Sequence, residues 1–532
     1  MDGESPLHTT IRYLPQLNPK STVTNKGIFL HNLRYDTVMS QDKKSVSSQK
    51  GRVSDMPERT SRVVDPLKVI IIGAGIGGLA LTQMLLSAPK IQVTCYERNS
   101  GFDNGVSGFR VMLSGSTLST LKRKLISEVW ASLALGIGEQ PEGGEKIEFL
   151  KGNGDKLFTW DSDPTKDQFS VSRFQLREAL LRQTKPFLKL GIAFENYELL
   201  PNGQARVHFS DGTTNECDLL VGADGVHSMV KNQLIPYATI KDLGMEVNRV
   251  CGQVNGDISY TPNLHNHKAN LNYTLCPHNQ YIMLATWQNP LSPFATRYTN
   301  LTIEPEESYI MLGAGFPASD FHNRRCPPAD LTPAELKAEL IERTSKPGIH
   351  SNFAELAQAA CTNTAYVHTV CKSDAIHSWN SQAVTLLGDA VFNMSNTLSR
   401  GANCALLDAI SLAECLTSPT YDRHSPTSIS AYVNENIERR SNERLRSFLM
   451  QKVVFPGQNN LKGFVRNLTL PHALRQIDDL DREKHGPSEH WAGHDGSQEE
   501  EHASPKWVEE LQWEELFAKK QAEGAEESIL QR

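Results

Sequence analysis

The stretch that most narrows what this chain can fold into is residues 69–80, VIIIGAGIGGLA. Four apolar residues run into Gly73-x-Gly75-x-x-Gly78 and then into an apolar helix. Each glycine has a separate task. Gly73 permits the tight turn out of the strand. Gly75 lacks a Cβ, so the backbone can approach a pyrophosphate. Gly78 lets the helix pack closely on the strand. The helix start offers free N–H groups and a partial positive charge to phosphates. A second strand over 92–96 ends at Glu97, which follows Gly73 by 24 residues. That is close to the ~20 expected of an acid that binds adenosine-ribose hydroxyls. The acid argues against a 2′-phosphate at the same place, where two negative groups would meet. The pattern predicts a dinucleotide site, and by itself it does not separate NAD from FAD.

With 532 residues, the chain is expected to form two or three domains. A formal charge of −7 excludes a globally basic nucleic-acid binder. The nine cysteines form no CxxC pair, so neither a zinc site nor a disulfide framework is expected. Isolated cysteines in odd number fit a reducing, cytoplasmic setting. The N-terminal residues lack the basic and apolar regions of a signal peptide, and no membrane span is expected. Sequons at Asn272, Asn300, Asn393 and Asn467 read as chance matches. Asn393 also falls in a loop expected to border a cofactor.

Texture divides the chain. Residues 1–66 are polar and without period, and read as a disordered arm in which 28–30 could dock as a short strand. Residues 67–240 alternate strand and helix, with a helix over 174–185 and strands over 205–209 and 218–221. Residues 241–364 are rich in aromatic and β-branched runs such as 280–287 and 308–312, which predicts an inserted, mostly antiparallel sheet. Residues 313–318, GAGFPA, imitate a glycine motif but lack a following apolar stripe, and read as a turn at a strand end. A helix over 331–343 is expected, with Thr332 as cap and Pro333 at its first position. The α/β texture returns over 365–420, with a strand over 383–389 and a helix over 403–416. Helices are expected over 421–476 and an acidic tail over 477–532. Within that tail, 504–520 reads as an amphipathic helix. It is expected to pack on the protein's own body, with partner docking as the alternative.

Two later segments repeat the logic of the opening motif. Over 218–231 a strand ends in Asp224-Gly225 and a helix opens with Ser228. Over 386–409 a strand ends in Gly388-Asp389, and a helix start follows at Gly401-Ala402-Asn403. Ligands of open α/β sheets sit at the carboxyl ends of strands. Asp389 can accept hydrogen bonds from ribityl hydroxyls. The N–H groups at the following helix start can face a pyrimidine edge that gains charge on reduction. A carboxylate at a strand end also caps the next helix, so neither segment decides alone.

In this order the three motifs resemble the class A flavoprotein monooxygenases, the p-hydroxybenzoate hydroxylase-like family, over about residues 67–420. The family pattern is GxGxxG, then DGxxSxxR, then a GD motif. Residues 171–177 resemble the family segment whose arginine reaches the flavin. Residues 108–111, which include Arg110, resemble one lining the flavin and substrate cleft. The resemblance implies an α/β fold: a Rossmann-like FAD-binding domain, an inserted antiparallel substrate sheet and C-terminal helices. It implies FAD as cofactor and NAD(P)H as transient reductant. A small-molecule substrate and O2 would react through a flavin C4a-hydroperoxide to give hydroxylation or epoxidation, in secondary metabolism. It places Glu97 on the adenosine ribose, Arg173 at the phosphate or ribityl region and Asp389 on the ribityl chain. Asp224 falls near the pyrophosphate and is linked to NAD(P)H use. Arg110 becomes the charged group next to flavin or substrate and the one candidate for a catalytic role.

This chain departs from the family at four positions. Lys231 stands for the arginine that closes the DG motif and loses its bidentate fork. Phe392 replaces a histidine, Asn396 a proline bordering the ring, and Ser399 a glycine. These changes predict a loop less rigid or differently shaped around the flavin. Tyr281, Met283, Trp287, Tyr309 and Met311 are candidates for a lid over the flavin, some of them as ordinary sheet core. His265 and His267 read as a solvated loop, and no G-x-S-x-G elbow supports a hydrolase. A flavin oxidase or dehydrogenase on the same scaffold, and a non-catalytic flavin-binding partner protein, are the alternatives.

Overall fold

The computed structural model describes residues 65–101, 109–139, 146–160, 168–238, 240–241, 247–255, 271–277, 279–289, 307–317, 320–321, 326–370, 372–373, 376–379, 383–425, 427–454 and 474. The arm over 1–64, His265 and His267, and the 504–520 segment lie outside them.

The strands are β1 Leu67–Ile72, β2 Ile91–Glu97, β3 Arg110–Ser114, β4 Ile147–Lys151, β5 Lys156–Trp160, β6 Gln168–Ser172, β7 Leu188–Leu190, β8 Phe194–Leu199, β9 Ala205–Phe209 and β10 Thr214–Cys217. They continue as β11 Leu219–Gly222, β12 Ile240–Lys241, β13 Val247–Asn255, β14 Leu271–Cys276, β15 Gln280–Trp287, β16 Tyr309–Pro317, β17 Cys361–Val370, β18 Lys372–Ser373 and β19 Val384–Leu386. The helices are α1 Ile76–Leu86, α2 Gly115–Lys124, α3 Ser127–Ala134, α4 Arg173–Leu181, α5 Met229–Leu234, α6 Pro333–Thr344, α7 Ser351–Ala359, α8 Gly401–Thr417 and α9 Ser430–Val454.

The fold is α/β. One sheet runs β19-β11-β1-β2-β7, and every pairing in it is parallel. Val69, Ile70 and Ile71 are almost wholly buried, as are Leu219, Leu220 and Val221. Continuous apolar strands of this kind suit a parallel sheet covered on both faces. Its registers set Tyr96, Ile72, Gly222 and Leu386 side by side. The strands therefore finish level, and the turns that follow them lie along one edge.

A seven-stranded sheet runs β17-β13-β16-β15-β14-β4-β5. All its pairings are antiparallel except β14 with β4. β4 and β5 precede the segment expected to form this sheet, yet they complete its edge. One face packs Phe149, Tyr273, Tyr281 and Met283 against Leu449 and Met450 of α9. The other packs Ile282, Leu284, Leu312 and Phe316 against α6 and α7. Tyr281 and Met283 are thus sheet core. Trp287 and Tyr309 cluster instead with Phe109, next to Arg110. Met311 is half-buried beside both groups.

Residues 313–317 belong to β16 and form no turn. Gly315 lies opposite Tyr281, whose ring occupies the space a Cβ would need, at 2.2 Å. The glycine thus makes room for an aromatic ring within a sheet. The helix expected over 174–185 ends at Leu181, where Arg182 leaves helical geometry. α6 begins as its sequence predicts, with Pro333 first and a capping box between Thr332 and Glu335. The sequons at Asn272 and Asn393 are buried, 5% and 6% exposed, which leaves no room for a glycan. Burial pushes the thiols of Cys95, Cys217 and Cys404 up to about 12, so each is protonated and inert at neutral pH.

The glycine motif separates into fold and function. A Cβ on Gly78 would sit 2.0 Å from the Gly73 carbonyl oxygen, whereas one on Gly75 would meet nothing within 4 Å. Gly78→Ala should cost about 3 kcal/mol in urea unfolding, as a clash against backbone that cannot yield. Gly75→Ala should stay within about 0.5 kcal/mol of the parent. Equal losses for the two would contradict this division.

Candidate functional site

Four strand ends meet at the carboxyl edge of the parallel sheet. β1 turns through Gly73 at a φ of 105°, a conformation that favours glycine. A Cβ there would approach the Ala223 carbonyl oxygen to 2.4 Å, so the first and second motifs touch through backbone. α1 then starts at Gly75 without a side-chain cap. β2 ends in Glu97, 9% exposed. Its carboxylate accepts from the Ala74 N–H at 3.0 Å and the Asn99 N–H at 3.0 Å, which fixes it against the glycine turn. A carboxylate has about four acceptor positions, so capacity for ribose hydroxyls is left.

β11 leads to Asp224. Its Oδ2 accepts from the N–H groups of Met229, at 2.8 Å, and Val230, at 3.3 Å, so it caps α5 together with Ser228. Its Oδ1 is buried and has no hydrogen-bond partner among the described residues. Burial pushes the carboxyl above its ordinary value, and the Ser228 hydroxyl and the amides pull it part of the way back. Lys231 is nearly enclosed, 1% exposed. Desolvation lowers its pKa against the pull of Asp224.

β19 leads through Gly388 to Asp389, which lies beside the start of α8. The Asp389 side chain is 41% exposed and faces the charges of Arg440 and Arg173. Arg173 stands exposed at the first position of α4, its N–H bonded to the Phe109 carbonyl at 2.9 Å. One turn along α4, Arg177 has its pKa lowered by burial, with Glu97 working against the shift. Two arginines thus bridge the span between Asp389 and Glu97. Arg110 is held by Ser170 Oγ and Met112 Sδ on the β3–β6 ribbon. Gly401 and Ala402 open α8, whose N-terminus also lacks a side-chain cap. Asn403 Oδ1 accepts the Ser114 N–H at 3.0 Å and pins the end of β3 to α8.

Behind Asp389 lies a cluster that sequence patterning did not single out. Asp408 and Arg440 are wholly buried and 2.5 Å apart. Asp408 Oδ2 also accepts the Gly388 N–H at 3.1 Å, and its Oδ1 accepts from Arg439 at 2.8 Å. Arg440 donates to the Phe392 carbonyl at 3.3 Å and lies 3.6 Å from Asp389. Burial alone would lower the Arg440 pKa, and Asp408 more than reverses it. The Tyr432 hydroxyl donates to the Leu386 carbonyl at 2.7 Å. One signal was present: Asp408 falls within the apolar stripe of Ala405, Leu412 and their neighbours at helical spacing.

The departures have specific outcomes. Phe392 is fully buried in the core beside Arg444, 5.8 Å from its ring centre. Asn396 begins a single helical turn to Leu398. Ser399 has a φ of 55°. A non-glycine residue therefore keeps the left-handed backbone that a glycine would adopt, at a cost of about 1 kcal/mol.

The edge fits a flavin dinucleotide on its own terms. There is open space over Gly75, the starts of α1 and α8 are uncapped, and Asp224 carries a buried acceptor without a donor. No group of His, Cys, Asp or Glu suited to a metal ion occurs among the described residues. No helix among them is long and apolar enough to cross a membrane.

A family model described as an FAD binding domain matches residues 200–442. The dual O-methyltransferase/FAD-dependent monooxygenase elcB of Phaeosphaeria nodorum is 27% identical over 66% of this chain. That match spans only 40% of the elcB protein. The 2-heptyl-3-hydroxy-4(1H)-quinolone synthase of Pseudomonas aeruginosa is 27% identical over 65% of this chain and 80% of its own length. Among solved structures, Klebsiella pneumoniae HpxO complexed with FAD and uric acid matches with a TM-score of 0.61 at 17% identity, over 79% of this chain and 97% of its own.

Two measurements check this geometry. A folded-state pKa of Asp224 above the ordinary ~3.9 adds stability that is complete below about pH 4 and is lost as pH rises through the folded value. Asp224→Asn should remove that dependence in the cofactor-free protein. Its stability relative to the parent should improve as pH rises above about 4, and an unchanged difference would refute the assignment. Ser399→Gly should raise stability by about 1 kcal/mol in chemical denaturation by relieving the left-handed strain.

Proposed function

We propose that this chain is a class A FAD-dependent monooxygenase, which uses FAD, NAD(P)H and O2 to hydroxylate or epoxidise a small organic substrate in secondary metabolism. The observation that carries the proposal is the level rank of strand ends. The glycine turn, Asp224 and Asp389 follow three adjacent parallel strands, with Glu97 on the fourth. Such an edge offers phosphate donors at its centre and hydroxyl acceptors on both sides.

Bound FAD supplies hydride acceptance and oxygen activation. The rest falls to the chain. Glu97 holds the adenosine ribose, and the start of α1 over Gly75 faces the pyrophosphate. Asp224 takes a donor on its open oxygen. Asp389, steadied by Arg440, accepts from the ribityl hydroxyls, with Arg173 close by. The N–H groups of Gly401, Ala402 and Asn403 stabilise negative charge on the pyrimidine edge. Phe109, Trp287 and Tyr309 form the apolar cluster beside Arg110 and exclude water from the reacting end. Arg110 is the cation next to the ring.

We assign residues 67–240 and 365–420 to FAD binding and 241–364 to the substrate sheet, which borrows β4 and β5 from the first region. The free cysteines suit a reducing compartment, and we assign the enzyme to the cytoplasm.

The purified protein should be yellow and should oxidise NAD(P)H with oxygen uptake when offered phenols or polyenes. A flavin-bearing protein that never oxidises NAD(P)H in their presence would overturn the monooxygenase reading. Asp389→Ala should weaken FAD binding by about tenfold or more, the loss of a charge-assisted hydrogen bond. Full FAD occupancy in that variant would refute the site.

A further inference from the structure

The last turn of α2 and the turn that follows α4 lie side by side on the surface. Lys122, Arg123 and Lys124 close α2, all three exposed, and Ile126 follows at 36% exposure. Glu128 of α3 accepts from Arg182 at 3.4 Å and from Gln183 at 2.9 Å, which draws the end of α4 alongside. Lys185 and Phe187 come next in the chain, both exposed, Phe187 by 40%. Two of the cations are paired, Lys124 with Glu414 and Arg182 with Glu128. Lys122, Arg123 and Lys185 form no ion pair with another described residue. The surface therefore offers apolar contact next to uncompensated positive charge.

The charge that answers this surface is concentrated in one stretch of the same chain. Residues 495–515, which lie outside the described residues, carry eight acids against the single Lys506. That excess of seven equals the formal charge of the whole chain, so all the other residues together are neutral. Trp507, Leu511, Trp513 and Phe517 are interspersed with these acids or follow them closely. The stretch thus pairs negative charge with large apolar groups, as the surface pairs positive charge with Ile126 and Phe187. It begins 21 residues after Leu474, the last described position, a reach of up to about 70 Å. A segment of the same chain meets its site at an effective concentration on the order of millimolar. A separate acidic protein or an anionic membrane lacks that advantage.

We propose that residues 495–517 dock on this surface of their own chain. The glutamates face Lys122, Arg123 and Lys185, and the aromatic side chains cover Ile126 and Phe187. Each exposed ion pair contributes little alone, so the contact depends on several acting together with apolar burial. The proposal is independent of the monooxygenase reading, because none of these residues belongs to the cofactor edge. The same segment of a second copy and an anionic membrane are the competing occupants, and the test separates them.

The full-length protein is treated with a carbodiimide, which joins a carboxylate to an amine in direct contact, and the links are mapped by mass spectrometry. Links from glutamates of 499–515 to Lys122 or Lys185 should form at low salt. They should fall about tenfold in 1 M salt, where the screening length is about 3 Å. When protein of two isotopic compositions is mixed beforehand, each link should join residues of one composition. Mixed links would give the segment to a second copy and overturn the proposal. Deuterium exchange over 505–517 should speed up about tenfold in a variant carrying Lys122→Glu, Arg123→Glu and Lys185→Glu. A second variant, with Glu509→Gln, Glu510→Gln, Glu514→Gln and Glu515→Gln, should show the same gain. It alters no described residue, so it decides the matter even where the first variant folds poorly. Unchanged exchange in it, or the absence of links to these lysines, would overturn the proposal. Vesicles of phosphatidylserine and phosphatidylcholine supply the last arm. Binding that is equally tight for the parent and the glutamine variant, and lost in the glutamate variant, would assign the surface to a membrane and overturn the proposal.

Discussion

The buried pair of Asp408 and Arg440 holds the candidate site together. Asp408 sits on α8, Arg440 on α9, and the Gly388 N–H reaches the same carboxylate oxygen. Three elements distant in sequence converge on one charge. A buried pair of this kind contributes little net stability over an apolar substitute, but losing one partner costs about 3–5 kcal/mol. Its value is therefore positional. Arg440 stands 3.6 Å from Asp389 and bonds the Phe392 carbonyl, so the turn after β19 has one orientation and not several. Tyr432 fixes the strand before that turn through the Leu386 carbonyl.

The same arrangement links the two sheets. Tyr273 of the seven-stranded sheet donates to the Thr397 carbonyl at 2.8 Å, and the Thr397 hydroxyl reaches the Ser447 carbonyl of α9 at 2.9 Å. The short loop between Asp389 and α8 is therefore held from both sides. That explains how Ser399 tolerates a backbone conformation that serine disfavours: packed surroundings dictate it. Asp224 shows a related compromise. It is desolvated beyond what its partners offset, so it makes the cofactor-free fold less stable near neutral pH. Elements elsewhere carry the stability, including the apolar centre of the parallel sheet and the capping box of α6.

Much of this site was legible in the chain. The three motifs, Glu97 and the uncapped start of α8 appear in sequence because turns and helix starts are local, and glycine and aspartate are among the few residues that serve there. The β-rich middle also announced its sheet through aromatic and branched runs. Three features were not legible. Residues 313–317 imitate a turn, yet they form a strand because Gly315 accommodates the ring of Tyr281 from the neighbouring strand. β4 and β5 join a sheet whose other strands follow much later. Arg440 lies more than 50 residues after Asp389 on a long polar helix, where nothing local distinguishes it from its charged neighbours.

By itself, the sequence determined the parallel α/β scaffold, the turns at its strand ends and the chemistry those turns can offer. Local spacing is enough to specify these. Tertiary structure alone decided which groups share one place. It set the strand ends level, put Asp408 behind Gly388, enclosed Lys231 and gathered Arg110, Lys146 and Arg400 around one cleft. The physical reason is range. Turn and cap preferences act over a few residues, whereas strand register, buried charge pairing and the lining of a cleft arise between segments hundreds of residues apart, and only packing brings them together.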